Sequence, residues 1–249
     1  MRLDKYLAQM SIGTRSEVKR FIKSGRVFVN DIPAGKPEQK VTADDIITMD
    51  GETIEYVPYE YYMLHKPRGY VSAVSDKEFP TVVSLIKDSR REDLFPVGRL
   101  DKDTEGLLLI TNDGMLAHEL LSPKKHVGKT YLVKVQGEVD TEDIQRLENG
   151  LDIGDEKNTL PSKVKILETA IGEREDIPEE EITEYTWLEL TIQEGRYHQV
   201  KRMMAAVGKP VLYLKRLSMG ALKLDESLAK GEYRKLTREE IQCLKKQKE

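Results

Sequence analysis

Residues 98–114 read GRLDKDTEGLLLITNDG and place a charged loop directly before an apolar run. The run Leu107–Thr111 is short, ends in β-branched residues and stops at an Asn-Asp-Gly turn. This pattern is typical of a buried strand that ends in a turn. The loop before it carries Asp101, Asp103 and Glu105, so several carboxylates crowd a segment anchored in a core. Loops held rigidly in this way often carry catalytic side chains.

The residues alone leave several interpretations of these carboxylates. Asp101, Asp103, Glu105 and Gly106 resemble the first half of an EF-hand calcium loop, but Asn112 stands where the final bidentate Glu is required. A pair of carboxylates also suits a glycosidase-like hydrolase, although the sequence spacing does not give the distance between the carboxyl groups. The remaining interpretation is a solvated, charged turn.

The loop and the strand after it resemble the catalytic motif of the RsuA-type pseudouridine synthases. The matching residues are Gly98-Arg99-Leu100-Asp101, Thr104 and Gly106-Leu107-Leu108-Leu109. The resemblance implies that Asp101 is the catalytic carboxylate of an enzyme that isomerises uridine in ribosomal RNA to pseudouridine. It implies that Arg99 helps to extrude the target base and holds the adjacent phosphate, and that Asp103 and Glu105 are loop charges.

A second motif lies in residues 129–135, which read KTYLVKV and alternate as a strand does. Tyr131 is expected to share a face with Val133 and Val135. From the residues alone it is either a core tyrosine or a functional one. The family resemblance implies that Tyr131 stacks on the target uracil and takes its proton, and an aromatic platform suits a base turned out of its stack.

A third motif lies in residues 194–204, which read EGRYHQVKRMM and follow an alternating strand at Trp187–Ile192. The pattern predicts a strand, a turn and a helix with an apolar stripe. The resemblance implies that Lys201 lies beside Asp101 and keeps that carboxylate charged. Many relatives have Arg at this position, and Lys supplies a point charge instead of a planar fork. Arg196 and Arg202 are predicted to contact RNA phosphates.

The N-terminal 30 residues are basic in a chain whose net charge is −4. Helical spacing predicts a helix near residues 2–10 and a second helix that is capped by Thr14 or Ser16 and ended by Gly25. A strand at 26–30 and a small sheet are expected to follow. This arrangement resembles the S4 RNA-binding domain. The resemblance implies backbone contacts with RNA by a set of five cations. These cations are Arg2, Lys5, Arg15, Lys19 and Lys23.

The predicted fold class is α+β. An S4-like domain of helices and a small sheet spans residues 1–56, a linker spans 57–60, and a synthase domain spans 61–249. The synthase domain is expected to contain a mainly antiparallel mixed sheet flanked by helices. The acidic segment 173–184 is predicted to be an exposed loop.

Composition restricts the class of protein further. No stretch of about 20 apolar residues predicts a membrane span, the N-terminus lacks a signal-peptide core, and the one cysteine, Cys243, cannot form an internal disulfide. A cytoplasmic protein without membrane partners is therefore expected. A monomer is also expected, although the composition itself does not indicate the oligomeric state. The isomerisation is not a redox reaction, and no nucleotide-binding or metal-ligand motif is found, so no cofactor and no metal are expected.

The predicted partner is 16S ribosomal RNA, either free or in an assembling small-subunit particle. Residues 205–208 and 231–234, which read AAVG and GEYR, favour the family members that modify the small subunit. The expected target is uridine 516 of 16S RNA. The alternatives are a 23S RNA synthase of the same family and a non-catalytic S4-type RNA-binding protein.

Overall fold

The computed structural model describes residues 1–42, 44–172 and 183–246. The chain divides into two compact units: residues 1–60 with 86–95, and residues 61–85 with 96–249. Most of the predicted acidic loop, residues 173–182, lies outside the described residues.

Residues 86–95 belong to the first unit, whereas the sequence placed them in the synthase domain. Polar contacts with residues 57–60 hold this segment to the first unit. The carboxylate of Glu60 accepts hydrogen bonds from the Ser89 hydroxyl at 2.7 Å and the Arg90 amide at 3.1 Å. The buried guanidinium of Arg91 donates to the Val57 carbonyl at 3.2 Å. Local patterning does not reveal such long-range contacts.

The first unit contains two helices and a small sheet with the order β2-β1-β3-β4. Its elements are α1 (Leu3–Gln9), α2 (Arg15–Lys23), β1 (Val27–Val29), β2 (Ile32–Pro33), β3 (Ile47–Met49) and β4 (Glu52–Thr53). The Thr14 side chain accepts from the Glu17 amide, and the Glu17 carboxylate accepts from the Thr14 amide, so a capping box starts α2. Val18 and Ile22 of α2 enter the core.

The second unit is built on a sheet with the order β13-β5-β7-β11-β8-β10-β9, and β12 pairs with β11. Its strands are β5 (Tyr61–Lys66), β7 (Glu105–Thr111), β8 (Lys129–Gln136), β9 (Lys163–Gly172), β10 (Thr183–Ile192), β11 (Val211–Met219), β12 (Leu222–Lys223) and β13 (Tyr233–Lys235). Its helices are α3 (Gly114–Leu121), α4 (Thr141–Asn149), α5 (Gln199–Ala206) and α6 (Arg238–Lys246). Strand β6 (Phe95–Pro96) and 3₁₀ turns at Val83–Leu85 and Pro123–Lys125 complete the described elements.

Most pairings in this sheet are antiparallel, and β7 with β11 is parallel. The predicted mainly antiparallel mixed sheet and the α+β class are therefore confirmed. In the described part of the chain, no helix is both long and apolar enough to cross a bilayer.

Strand β7 is buried along its whole length, as its apolar run predicted. It starts at Glu105, earlier than the apolar run, because Gly106 allows a close approach to β11. Gly106 has a φ of +102°, and an added Cβ would lie 2.3 Å from the Arg216 carbonyl oxygen. The parallel register pairs these same two residues. The absence of a side chain at Gly106 thus allows β7 to pair closely with β11.

Gly106→Ala is expected to lower the free energy of unfolding of the second unit by roughly 2–4 kcal/mol, because it adds left-handed strain and a backbone clash. Urea unfolding followed by circular dichroism measures the effect. Gly114→Ala is the matched control, since its Cβ meets nothing within 4 Å. Equal unfolding midpoints for both variants would contradict the expectation.

Candidate active site

The backbone of the acidic loop between β6 and β7 is held by hydrogen bonds from a side chain and an amide of residues 69–72. The Ser72 hydroxyl donates to the Leu100 carbonyl at 2.8 Å and accepts from the Leu100 amide at 3.0 Å. The Gly69 amide donates to the Lys102 carbonyl at 2.9 Å. The residues on both sides of Asp101 are therefore fixed.

A buried lysine ammonium lies beneath the same loop. Lys66 is the last residue of β5 and has no exposed surface. Its Nζ donates to the carbonyls of Thr104 at 2.8 Å, Pro67 at 3.1 Å and Lys102 at 3.2 Å. Burial lowers the pKa of Lys66 to about 8, with the negative charges of Asp103 and Asp101 opposing the shift. No pattern in the sequence indicated these contacts of Lys66.

Lys201, in the first turn of α5, meets the loop where the sequence predicted. Its Nζ lies 3.1 Å from Oδ2 of Asp101 and 2.7 Å from Oδ1 of Asp103. Burial lowers the pKa of Lys201, but hydrogen bonds to Asp103 and Asp101 outweigh it and leave the pKa above its usual value. The ammonium therefore stays charged at neutral pH. Asp103 was expected to be a loop charge; the structure makes it the second partner of this cation.

Glu105 was also expected to be a loop charge, and that expectation is wrong. Glu105 is the first residue of β7, and its side chain is only 4% exposed. Its carboxylate accepts from the Tyr213 hydroxyl at 2.7 Å and from the Lys230 ammonium at 2.9–3.1 Å. Burial raises the pKa of Glu105, but these two donors outweigh it and lower the pKa overall.

This geometry opposes the calcium-loop interpretation. The Glu105 carboxylate is turned to Tyr213 and Lys230, while Asp101 and Asp103 share Lys201. Within the described ranges, no group of three or more acidic, histidine or cysteine side chains could hold a metal ion.

Asp101, Tyr131 and Lys201 line one pocket of about 110 Å³, together with Arg99 and Arg196. Tyr131 is buried on the inner face of β8 with Val133 and Val135, as the alternation predicted. In the sheet it pairs with Leu190 of β10 and Arg216 of β11. The Asp101 side chain is 22% exposed, so its carboxylate borders a space that a ligand can enter.

A larger space of about 680 Å³ adjoins this pocket and shares Asp101 and Arg99 as walls. Arg99 is exposed. In the part of the chain that the structure describes, its guanidinium has neither a hydrogen-bond nor an ion-pair partner. A cation in that state is free to bind an anionic group, as the predicted phosphate contact requires.

Arg196 and Arg202 are held by protein acceptors. Arg196 donates to the carbonyls of Lys157 at 2.6 Å and Asn158 at 2.7 Å, and to Glu194 at 3.0 Å. Arg202 donates to the Ile153 carbonyl and, at 2.6 Å, to Asp155. The structure thus shows both guanidinium groups fixing the strand-turn-helix junction. Their contact with RNA stays a prediction.

Three polar side chains at the site were missed by sequence reasoning. Nε2 of His198, which was not assigned a role, lies 3.4 Å from Oδ1 of Asp101. Lys129 is buried in the pocket wall, where burial lowers its pKa. Arg216 is buried beside Tyr131 and donates from Nε to the Leu107 carbonyl at 2.8 Å. The positions of Lys129 and Arg216 depend on strand register, which local patterns do not supply.

In the first unit, α2 presents Arg15, Lys19 and Lys23 as exposed side chains opposite its buried residues. Lys5 is also exposed. Arg2 differs from these cations, because its guanidinium pairs with Asp4 at 2.7 Å and Glu38 at 3.2 Å.

Comparison with known families matches two parts of the chain. Residues 60–206 match the model described as RNA pseudouridylate synthase. Residues 1–47 match the S4 domain.

Individual relatives cover nearly the whole chain. An uncharacterized RNA pseudouridine synthase of Bacillus subtilis, YtzG, is 48% identical over 98% of both chains. Ribosomal small subunit pseudouridine synthase A of Pasteurella multocida is 40% identical over 99% of this chain and 100% of its own. A crystal structure of a pseudouridylate synthase aligns with a TM-score of 0.65 and 36% identity, covering 98% of this chain and 99% of the other.

Proposed function

Because the chain belongs to the RNA pseudouridylate synthase family and begins with an S4 domain, we propose that its target is uridine 516 of 16S ribosomal RNA. The chain is an RNA pseudouridine synthase. The choice of small-subunit RNA is supported by full-length similarity to enzymes named for that subunit. The proposed enzyme is a cytoplasmic monomer that acts on free 16S RNA or on an assembling small-subunit particle.

The reaction is an isomerisation in which no atom is gained or lost. The bond between N1 of uracil and C1′ of ribose breaks, and a bond between C5 and C1′ forms. The proton on C5 leaves, and N1 gains a proton. The enzyme must therefore hold a detached uracil, let it turn, and remove one proton.

Asp101 is proposed to act on the ribose of the target nucleotide. Its carboxylate either attacks C1′ or removes a ribose proton, and both routes need an anionic oxygen beside the sugar. The observation that supports this role is the 3.1 Å contact between Asp101 and Lys201 in the pocket that Tyr131 also lines. The ion pair with Lys201 orients the carboxylate.

Tyr131 is proposed to stack on the uracil. Its ring lines the pocket and is fixed in the centre of the sheet, between β10 and β11. A flat, rigid surface fits a base that must stay bound while its glycosidic bond is broken. The same tyrosine is proposed to take the C5 proton.

Transcripts of 16S and 23S RNA test the target. Each is incubated with the purified enzyme, and pseudouridine is mapped by carbodiimide modification and primer extension. One new stop at uridine 516 of the 16S transcript is expected. Transcripts packaged with small-subunit proteins form a second arm, which separates free RNA from a ribonucleoprotein substrate. Modification confined to 23S RNA would contradict the proposed target while keeping the reaction.

The first unit is proposed to bind RNA backbone through Lys5, Arg15, Lys19 and Lys23. These cations are exposed, and within the described ranges they have no ion-pair partner in the protein. Arg2 contributes less in this proposal, since its guanidinium is engaged by Asp4 and Glu38. Contacts of this kind position an RNA without reading its sequence.

The double variant Arg15→Glu with Lys19→Glu is expected to weaken RNA binding and to flatten its salt dependence. Each lost phosphate contact lowers the slope of log K against log salt by roughly 0.7–0.9. Filter binding over a series of salt concentrations measures the slope. The control is Lys163→Glu with Lys165→Glu, which makes the same charge change at exposed positions of β9. If log K falls with log salt at the same slope in both double variants, α2 does not contact RNA phosphates.

A further inference from the structure

Tyr197 is an exposed aromatic residue in the wall of the larger space beside the catalytic pocket. It is 72% exposed and lines the space of about 680 Å³ that adjoins Asp101. Among the described residues, its hydroxyl has no hydrogen-bond partner. No step of the isomerisation described above uses this side chain.

The ring of Tyr197 is supported from one side. It stacks on His198, with ring centroids 3.9 Å apart and an interplanar angle of 17°. His198 has a left-handed backbone, with a φ of +48°, and such a conformation is uncommon for a residue that is not glycine. Strained backbone of this kind persists only where the surroundings enforce it, and it is concentrated at functional sites.

The backbone around Tyr197 is held by the two arginines of the junction. Arg202 donates to the Tyr197 carbonyl at 3.2 Å. Arg196, the preceding residue, is anchored by Glu194 and by the carbonyls of Lys157 and Asn158. The main chain is thus fixed on both sides, while the aromatic ring is left to solvent. This arrangement presents a flat apolar surface at little cost in conformational entropy on binding.

The position of this surface relative to Asp101 indicates what it binds. The larger space and the catalytic pocket share Asp101 and Arg99 as walls. A nucleotide whose ribose lies at Asp101 therefore places its neighbour in or near the larger space. Arg99 stands between the two, where a connecting phosphate would pass.

We propose that Tyr197, backed by His198, is a stacking platform for the base of a nucleotide next to the target uridine. This subsite rests on the proposed RNA substrate and extends it. Stacking on an aromatic ring tolerates any base, since every base has a π face. The subsite therefore adds affinity and fixes the path of the RNA strand. Nε2 of His198 lies 3.4 Å from Oδ1 of Asp101, so the platform lies directly beside the catalytic pocket.

Single-turnover kinetics test this role. The substrate is whichever ribosomal RNA transcript the wild-type enzyme converts. Tyr197→Ala is expected to raise the half-saturating enzyme concentration by about tenfold or more, with the limiting rate within about threefold of wild type. Tyr197→Phe and Tyr197→Trp keep an aromatic face and are expected to stay near wild type. Tyr59→Ala removes another exposed tyrosine, in the first unit, and is the matched control.

An unchanged half-saturating concentration for Tyr197→Ala would overturn the subsite. A Tyr197→Phe variant as impaired as Tyr197→Ala would also overturn it, because the hydroxyl would then be the group that matters. Filter binding of the same variants to 16S and 23S transcripts separates this inference from the proposed function. If the wild-type enzyme binds both RNAs but modifies neither, the proposed target is refuted. The stacking subsite is then supported if Tyr197→Ala binds RNA more weakly than wild type, and overturned if it binds equally well. Loss of all binding by the wild type overturns both.

Discussion

The ammonium of Lys201 between the carboxylates of Asp101 and Asp103 is the contact on which the site depends. It joins the loop before β7 to the first turn of α5, two segments far apart in the chain. A cation on a flexible side chain orients its partner only if both backbones are fixed. Much of the surrounding structure can be understood as meeting that requirement.

On the loop side, the fixing groups are buried and polar. Lys66 donates to three carbonyls beneath the loop, and Ser72 binds both polar groups of the Leu100 backbone. Gly106 then lets β7 approach β11 closely. On the α5 side, Arg196 and Arg202 bind carbonyls and carboxylates of neighbouring loops. Unsatisfied buried groups are costly, so these networks favour one arrangement of the two segments.

The fold and the central residues of the site followed from the sequence to a large extent. Alternation placed Tyr131 on the inner face of β8. The family resemblance, and not the spacing, placed Lys201 beside Asp101. Charge patterning also marked α2 as basic on its exposed face.

Other features could not be predicted, for physical reasons. Glu105 resembles its acidic neighbours in sequence, but the parallel register of β7 and β11 buries it against Tyr213. The anchoring of Arg196 and Arg202 by acceptors in residues 153–158 gave no signal in the sequence. His198 gained its position from a left-handed backbone that no local pattern specifies. Each of these depends on contacts between segments distant in sequence.

The most direct test compares isosteric substitutions of the two carboxylates that share the Lys201 ammonium. Asp101→Asn and Asp103→Asn each remove one charge next to Lys201, and single-turnover formation of pseudouridine is measured with RNA binding as a parallel readout. Asp101→Asn is expected to lose at least about 10³-fold in rate while binding RNA normally, because only its carboxylate is proposed to act on the ribose. Asp103→Asn is expected to stay within about tenfold of wild type. Comparable rates for the two variants would contradict the assignment of Asp101 as the catalytic carboxylate.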